Sequence, residues 1–353
     1  MDTQAWIEQL QERVRTAVAA GCGLRLEGSG SKAFYGGLRA GEPLDLRPYA
    51  GVVAYEPAEL AVTARAGTPL AELEALLAQH QQMLAFEPPY FGPGATVGGC
   101  VATGLSGPSR PFRASVRDHI LGLSCVTGSG DWLRFGGTVI KNVAGFDVSR
   151  LMVGALGRLG ILIDVTLRTV PRPGASRTLV FQSAPDRLLE RLLGLAKESA
   201  VTAAAALQDT VYLRISGSER FVATRAQVLG GDLAPEKFWT DLREQQHPFF
   251  AGEEPPLWRL SLASAARLDL EGHWLLDWGG AQRWLRSTQD AVEIRTAVAR
   301  CGGHASLFRG GTPGVPVFQP LAGPLAALER RLRQAFDPHE VLNPGDLRRG
   351  ANI

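Results

Sequence analysis

The chain has 353 residues, long enough for two domains that each bury their own core. Hydrophobic residues make up 45% and charged residues 20%, which excludes wholesale disorder and a membrane-spanning bundle. Lys and Arg number 37 against 35 Asp and Glu, a net charge of +2, so bulk electrostatics give no footprint for nucleic acid or an acidic membrane.

The first 21 residues predict an amphipathic helix with Trp6, Ile7, Leu10, Val14, Ala17 and Val18 on one side, and do not read as a signal peptide. Leu24 and Leu26 then alternate with Arg25 and Glu27 as a short strand that runs into Gly28-Ser29-Gly30-Ser31-Lys32. Glycine lets the main chain approach an anion closely, so this loop can offer several backbone N–H groups to a diphosphate; a bare turn without a ligand is the alternative. Phe34-Tyr35 follow Lys32 and no third glycine opens a helix, which disfavours the G-x-G-x-x-G site of a Rossmann domain.

Residues 52–55 and 61–66 read as strands, and Thr68-Pro69 as the N-cap and first turn of a helix burying Leu70, Leu73, Leu76 and Leu77. Between Pro88 and Pro111 the density of proline and glycine argues against a regular element over most of the length, and a long ordered loop is usually functional. Within it Gly94-Ala95-Thr96-Val97-Gly98-Gly99, Thr103-Gly104 and Ser106-Gly107 combine small residues, hydroxyls and amides that suit a flat polar ring, with a strained surface loop as the alternative.

Residues 119–127 and 132–135 read as a hairpin turning at Gly128-Ser129-Gly130-Asp131. Gly154, Gly157 and Gly160 recur ahead of the apolar strand 161–167 and predict a tight backbone turn beside a ligand. Lys141 would either bring a positive charge to that pocket or pair with Asp147.

Pro171-Arg172-Pro173-Gly174 marks the expected domain boundary. Strands at 178–182 and 210–215 and helices at 186–197 and 219–229 follow, the texture of a smaller α+β domain. A final helix near 324–336 leads to the turn Asn343-Pro344-Gly345-Asp346. The division expected is 1–172, 175–320 and 321–353. Cys22, Cys100, Cys125 and Cys301 are far apart and the histidines are scattered, so no metal or iron–sulfur site is expected. No stretch approaches the ~20 apolar residues a bilayer span requires.

Gly28 to Lys32 after a strand, then Ala95-Thr96-Val97-Gly98-Gly99, then Lys141-Asn142 through Gly160-Ile161 resemble, in this order, the vanillyl-alcohol-oxidase or PCMH-type FAD-binding domain. Ala102-Thr103-Gly104-Leu105-Ser106-Gly107-Pro108, the phrase from Phe135 to Leu156 and the short length look like the FAD-binding E-type subunits of glycolate oxidases. The resemblance implies an α+β fold: an FAD domain of two α+β subdomains, then a small α+β cap.

It also implies that Gly28, Ser29, Gly30, Ser31 and Lys32 hold the FAD diphosphate. Thr96, Gly98, Gly99, Thr103 and Ser106 would line the flavin, with Gly94, Ala95, Val97 and Gly104 in the same loop. Gly160 and the Ile161 backbone would lie near the adenine half, with Lys141 and Asn142 in the same segment. Some relatives tether flavin through a histidine in the first loop; serines stand here, so noncovalent FAD is expected. Substrate-oxidising relatives carry H-A-G-D-G-N-x-H in the second domain, where this chain has only Gly302-Gly303-His304-Ala305-Ser306.

Oxidising a hydroxyl beside a carboxylate needs a base and a cation, for which Arg259, Arg309 and His304 are the candidates, each also readable as structural. The activity implied is FAD-dependent oxidation of the CH–OH group of a small 2-hydroxy acid, glycolate to glyoxylate. It would run in a complex with a longer paralogous flavin subunit and an iron–sulfur subunit, in the cytoplasm or at the inner membrane through those partners. The alternatives are a self-sufficient 2-hydroxy-acid dehydrogenase, for example of D-lactate, and a structural subunit without its own catalysis.

Overall fold

The computed structural model describes residues 2–36, 40–137, 147–311 and 314–345. Helix Thr3–Ala20 opens where the Asp2 carboxylate accepts from Ala5 N and closes at Gly21 in the left-handed region, φ 63°. Its apolar stripe of Trp6, Ile7, Leu10, Val14 and Ala17 is buried and Val18 partly so. The stripe packs on Leu24 and Leu26 of strand Leu24–Glu27 and on Val341 and Leu342 from the far end of the chain.

That strand pairs in parallel with Glu42–Asp45, and Leu24 bridges Leu342. The Glu42–Asp45 strand is absent from the sequence pattern because two of its four residues are exposed and Pro43 lies within it, so only its partner specifies it.

The second subdomain is a five-stranded antiparallel sheet in the order Val52–Glu56, Ala61–Arg65, Ile161–Arg168, Ile120–Val126, Trp132–Gly136. Helix Leu70–Gln79 buries Leu70, Leu73 and Leu77 in the core beside this sheet. Leu76 is only partly covered. Thr68 is not its N-cap, contrary to expectation. Its hydroxyl is fixed to the backbone N–H and carbonyl of Gly51, both at 3.0 Å, and Pro69 occupies the cap position without a side-chain bond.

The glycine-rich stretch after Pro88 also departs from expectation, because it contains helix Val97–Thr103. Thr96 caps this helix by accepting from Gly99 N at 3.1 Å. A glycine costs about 1 kcal/mol in a helix. Here tertiary contact overrides propensity: a Cβ on Gly98 would stand 2.8 Å from the Ala66 Cβ, so only glycine lets the helix lie this close to the sheet.

The third unit is an eight-stranded sheet in the order Asp232–Ala234, Ala175–Gln182, Thr210–Gly217, Val201–Leu207, His273–Asp277, Gln282–Arg286, Leu257–Ser261, His304–Arg309, antiparallel throughout. Helices Leu188–Leu195 and Glu219–Leu229 pack on the cluster of Leu179, Leu213 and Ile215. Another cluster joins the sheet to Tyr35, Leu105 and Leu156 of the first half.

After helix Gly323–Phe336 the chain returns to its beginning. Leu24 N donates to Val341 O at 2.7 Å and Asn343 N to Leu24 O at 2.8 Å. The architecture is α+β. No helix among the described residues is long and apolar enough to cross a membrane.

Candidate functional site

A cavity of ≈ 480 Å³ opens where the two subdomains of the first half meet. Its wall contains Gly28, Ser29, Gly30, Ser31 and Lys32 on one side and Thr96, Gly98, Gly99 and Thr103 on another; Gly160 and Asn343 complete it. Three segments far apart in sequence thus meet around one volume, of the size a small ligand or cofactor occupies. Gly94, Ala95, Val97, Gly104, Ser106 and Ile161 do not line it. Ala95, Val97 and Ile161 turn their side chains into the cores, and the Ser106 hydroxyl accepts from Val116 N. Lys141 and Asn142 lie outside the described residues. Asp147 caps helix Val148–Met152 and pairs with Arg150 at 3.1 Å.

The first loop is shaped for close approach. A Cβ on Gly28 would come within 2.8 Å of Thr96 Oγ1, so glycine there brings the loop against the helix cap. Gly30 has φ 75° and nothing within 4 Å of the Cβ it lacks, which leaves its surroundings open. The amides of Ser29 and Gly30 have no hydrogen-bond partner among the described residues. By contrast, the amides of Val97, Gly98 and Gly99 are taken up by Thr68 O, Ala66 O and Thr96 Oγ1. Donors for an anion therefore come from the first loop and not from the helix.

Lys32 adds a cation at the same end. It is 7% exposed, its Nζ reaches Tyr90 O at 3.3 Å, and it stands 5.8 Å from the Phe91 ring centre. Burial pushes its pKa down, and the Cys100 thiol and Glu244 carboxylate push it partly back. Arg25 and Arg47 also reach the cavity, but each is paired, to Glu27 at 2.6 Å and to Asp45 at 2.8 Å. Leu26, Leu46, Ala66, Ala102, Leu156 and Leu162 supply flat apolar wall.

Asn343 is the site residue that the sequence did not reveal as such. It is 3% exposed, its Oδ1 accepts from Leu26 N at 2.8 Å and its Nδ2 donates to Leu156 O at 2.7 Å. One amide thus clamps the strand before the first loop to the turn before Gly157. Its own φ of 42° is one that asparagine tolerates better than most residues, and the Asn-Pro-Gly turn is the only sequence signal for it.

The three candidates for substrate chemistry lie elsewhere. Arg259 donates from Nε to Gln282 Oε1 at 2.5 Å and from a terminal nitrogen to Tyr35 Oη at 3.4 Å. Arg309 donates to Gln245 Oε1 at 2.8 Å and covers the Phe34 ring at 3.8 Å. His304 is exposed at the start of the last sheet strand. None of the three lines the cavity.

Open amides and a buried ammonium at one end, with small and apolar wall beyond, fit a diphosphate attached to a flat ring. The fold and the site therefore define an FAD-binding protein of the PCMH type, and residues 5–136 match the family described as an FAD binding domain. The fold is similar to that of alkyldihydroxyacetonephosphate synthase, with TM-score 0.65 at 14% identity over 96% of this chain and 75% of that one. The chain is 44% identical over 343 residues, 96% of each protein, to glycolate oxidase subunit GlcE of Escherichia coli, and it belongs to that family. It also shares 40% identity over 87 residues with glycolate oxidase subunit GlcD of Bacillus subtilis, and 30% over 129 residues with a mitochondrial D-lactate dehydrogenase of Saccharomyces cerevisiae. Those two matches span 24% and 36% of this chain and 18% and 22% of the relatives.

Proposed function

We propose that this chain is the FAD-binding subunit of a glycolate oxidase, one component of a complex that oxidises glycolate to glyoxylate. The observation that carries this is the likeness to a GlcE subunit along nearly the whole chain, coinciding with a cavity built from all three glycine segments. Bound FAD supplies a two-electron acceptor.

The residues of this chain bind and orient it. Ser29 and Gly30 amides and the Lys32 ammonium hold the diphosphate, Thr96 to Thr103 border the ring system, and Gly160 and Asn343 close the far wall. No His, Cys or Tyr stands among the described lining residues, which supports noncovalent attachment. Residues 1–172 and 321–353 form the FAD-binding unit on this account and residues 175–320 the cap. The partners are a longer flavin subunit similar to GlcD and an iron–sulfur subunit, through which the complex sits at the inner membrane.

Co-purification of the tagged chain with its partners, followed by flavin and iron analysis, tests the assignment. Stoichiometric FAD on this chain and glycolate-dependent dye reduction by the complex are expected. A chain that carries no FAD, or a complex inert towards glycolate, would overturn it.

A further inference from the structure

We infer that the seam between the cap sheet and the FAD domain is a closed aromatic wall that denies a hydroxy acid access to the cofactor, so this subunit passes electrons and does not oxidise glycolate. The inference rests on the FAD site proposed above. Every described residue lining that cavity belongs to residues 25–162 or is Asn343, so the cap sheet contributes nothing to it.

Where cap and FAD domain face each other, Phe308 at 2% exposure is the hub of a ring cluster. Phe34, Tyr35 and Trp284 lie 5.2, 5.3 and 4.9 Å from it, centre to centre, and Phe91 lies at 6.3 Å. Phe318 closes on Tyr35 at 5.1 Å. The cavity that Phe91, Trp284 and Phe308 line at this seam measures ≈ 20 Å³. That is room for about one water molecule and not for a hydroxy acid.

The cations near the seam are engaged. Arg259 is bonded to Gln282 and Tyr35, and Arg309 to Gln245 while lying on Phe34. Two larger cavities, of ≈ 860 and ≈ 430 Å³, share no wall residue with the FAD cavity. The arginines of the larger one, Arg283 and Arg286, donate to main-chain carbonyls, and Arg214 in the other pairs with Glu87 at 2.8 Å.

Oxidation of glycolate to glyoxylate releases two electrons and two protons, and it needs a cation for the carboxylate and a base for the hydroxyl proton beside the acceptor. In the FAD cavity Lys32 is assigned to the diphosphate and Arg25 and Arg47 are paired with Glu27 and Asp45, while Asp277 at the seam accepts from Trp278 N and Gln282 Nε2. These described groups are all engaged, and none is left to a substrate beside the acceptor. Cation and base both belong on this account to another subunit; FAD held by Gly28 to Lys32 and Thr96 to Thr103 would supply the acceptor for that subunit's two electrons, with protons taken from solvent. FAD held here would return the two electrons one at a time to a one-electron carrier of the complex and release the protons to solvent.

The test is anaerobic mixing of the FAD-loaded chain alone with glycolate and with D-lactate, followed by its visible flavin spectrum, with photoreduction as the control for redox competence. The flavin should stay oxidised with either acid and bleach in light. Bleaching by glycolate or D-lactate overturns this inference and leaves the FAD site standing, whereas failure to take up FAD overturns the site itself. In the assembled oxidase, Arg259→Gln and Arg309→Gln should leave KM for glycolate within about twofold even if yield falls; a rise of about tenfold in KM would place the substrate at this seam and sink the inference.

Discussion

Asn343→Ala tests how the cavity is held together. The substitution removes the acceptor for Leu26 N and the donor for Leu156 O, and both groups stay buried. A buried backbone group left without a partner costs about 1–3 kcal/mol, so the pair costs about 2–6 kcal/mol. Alanine held in the left-handed region adds about 1 kcal/mol at φ 42°. The sum is a large part of the ~5–15 kcal/mol that stabilises an ordinary domain. Urea unfolding of the FAD-free protein should show the loss as a lower midpoint with an unchanged slope. Asn343→Asp keeps the acceptor towards Leu26 N but sets a buried carboxylate against Leu156 O, so it should be at least as destabilising as alanine at neutral pH and recover part of the loss as pH falls and the carboxyl protonates. A loss under about 1 kcal/mol in Asn343→Ala, with FAD affinity unaltered, would refute the clamp.

Three further outcomes follow from the same geometry. Gly28→Ala drives a Cβ to 2.8 Å from the Thr96 hydroxyl that caps Gly99, and FAD titration should show affinity reduced by about tenfold or more, about 1.4 kcal/mol, in a folded protein. Unaltered affinity would show that the loop does not contact the cofactor. Lys32→Met should act with opposite signs: the FAD-free chain becomes no less stable, because a buried ammonium bonded to one carbonyl is removed, while the dissociation constant for FAD rises by about tenfold. Thermal unfolding with and without FAD separates the two effects, and equal losses in both would contradict the assignment.

Burial raises the carboxyl of Asp277 to about 7 from an ordinary 3.8, against hydrogen bonds from Trp278 N and Gln282 Nε2. The folded state therefore binds an extra proton between those values. Its stability from this group is complete below the lower value and declines as pH rises towards the upper one. Asp277→Asn should flatten that decline in unfolding experiments across the window, and an unaltered slope would show that Asp277 is ionised throughout.

Elements with a strong local pattern were readable in the sequence. The first helix, the strand Leu24–Glu27, the hairpin around Gly128-Ser129-Gly130-Asp131 and the helix Glu219–Leu229 each carry periodicity, a turn signal or both. What escaped depends on contacts distant in sequence. Glu42–Asp45 is a strand because Leu24–Glu27 pairs with it, and the glycines of helix Val97–Thr103 are tolerated because Thr96 caps it and Ala66 leaves no room for a Cβ at Gly98. Thr68 carries the chemistry of a cap, but Gly51 claims its hydroxyl.

The same division runs through the site. The glycine segments announce themselves by composition, yet their convergence on one cavity is fixed by the sheets and by Asn343, which lies 317 residues beyond its partner Leu26. The aromatic seam has no sequence signature either, since Phe34 and Phe91 of the first half meet Phe308 only where the eight-stranded sheet packs on them.

The most direct measurement is an experimental structure of the chain with FAD bound. The account predicts the diphosphate against the Ser29 and Gly30 amides within reach of Lys32, and the ring system beside Thr96 to Thr103, behind the Phe308 wall. FAD seated in another cavity, or a flavin ring open to the cap sheet with space for a hydroxy acid beside Arg259 or Arg309, would contradict it.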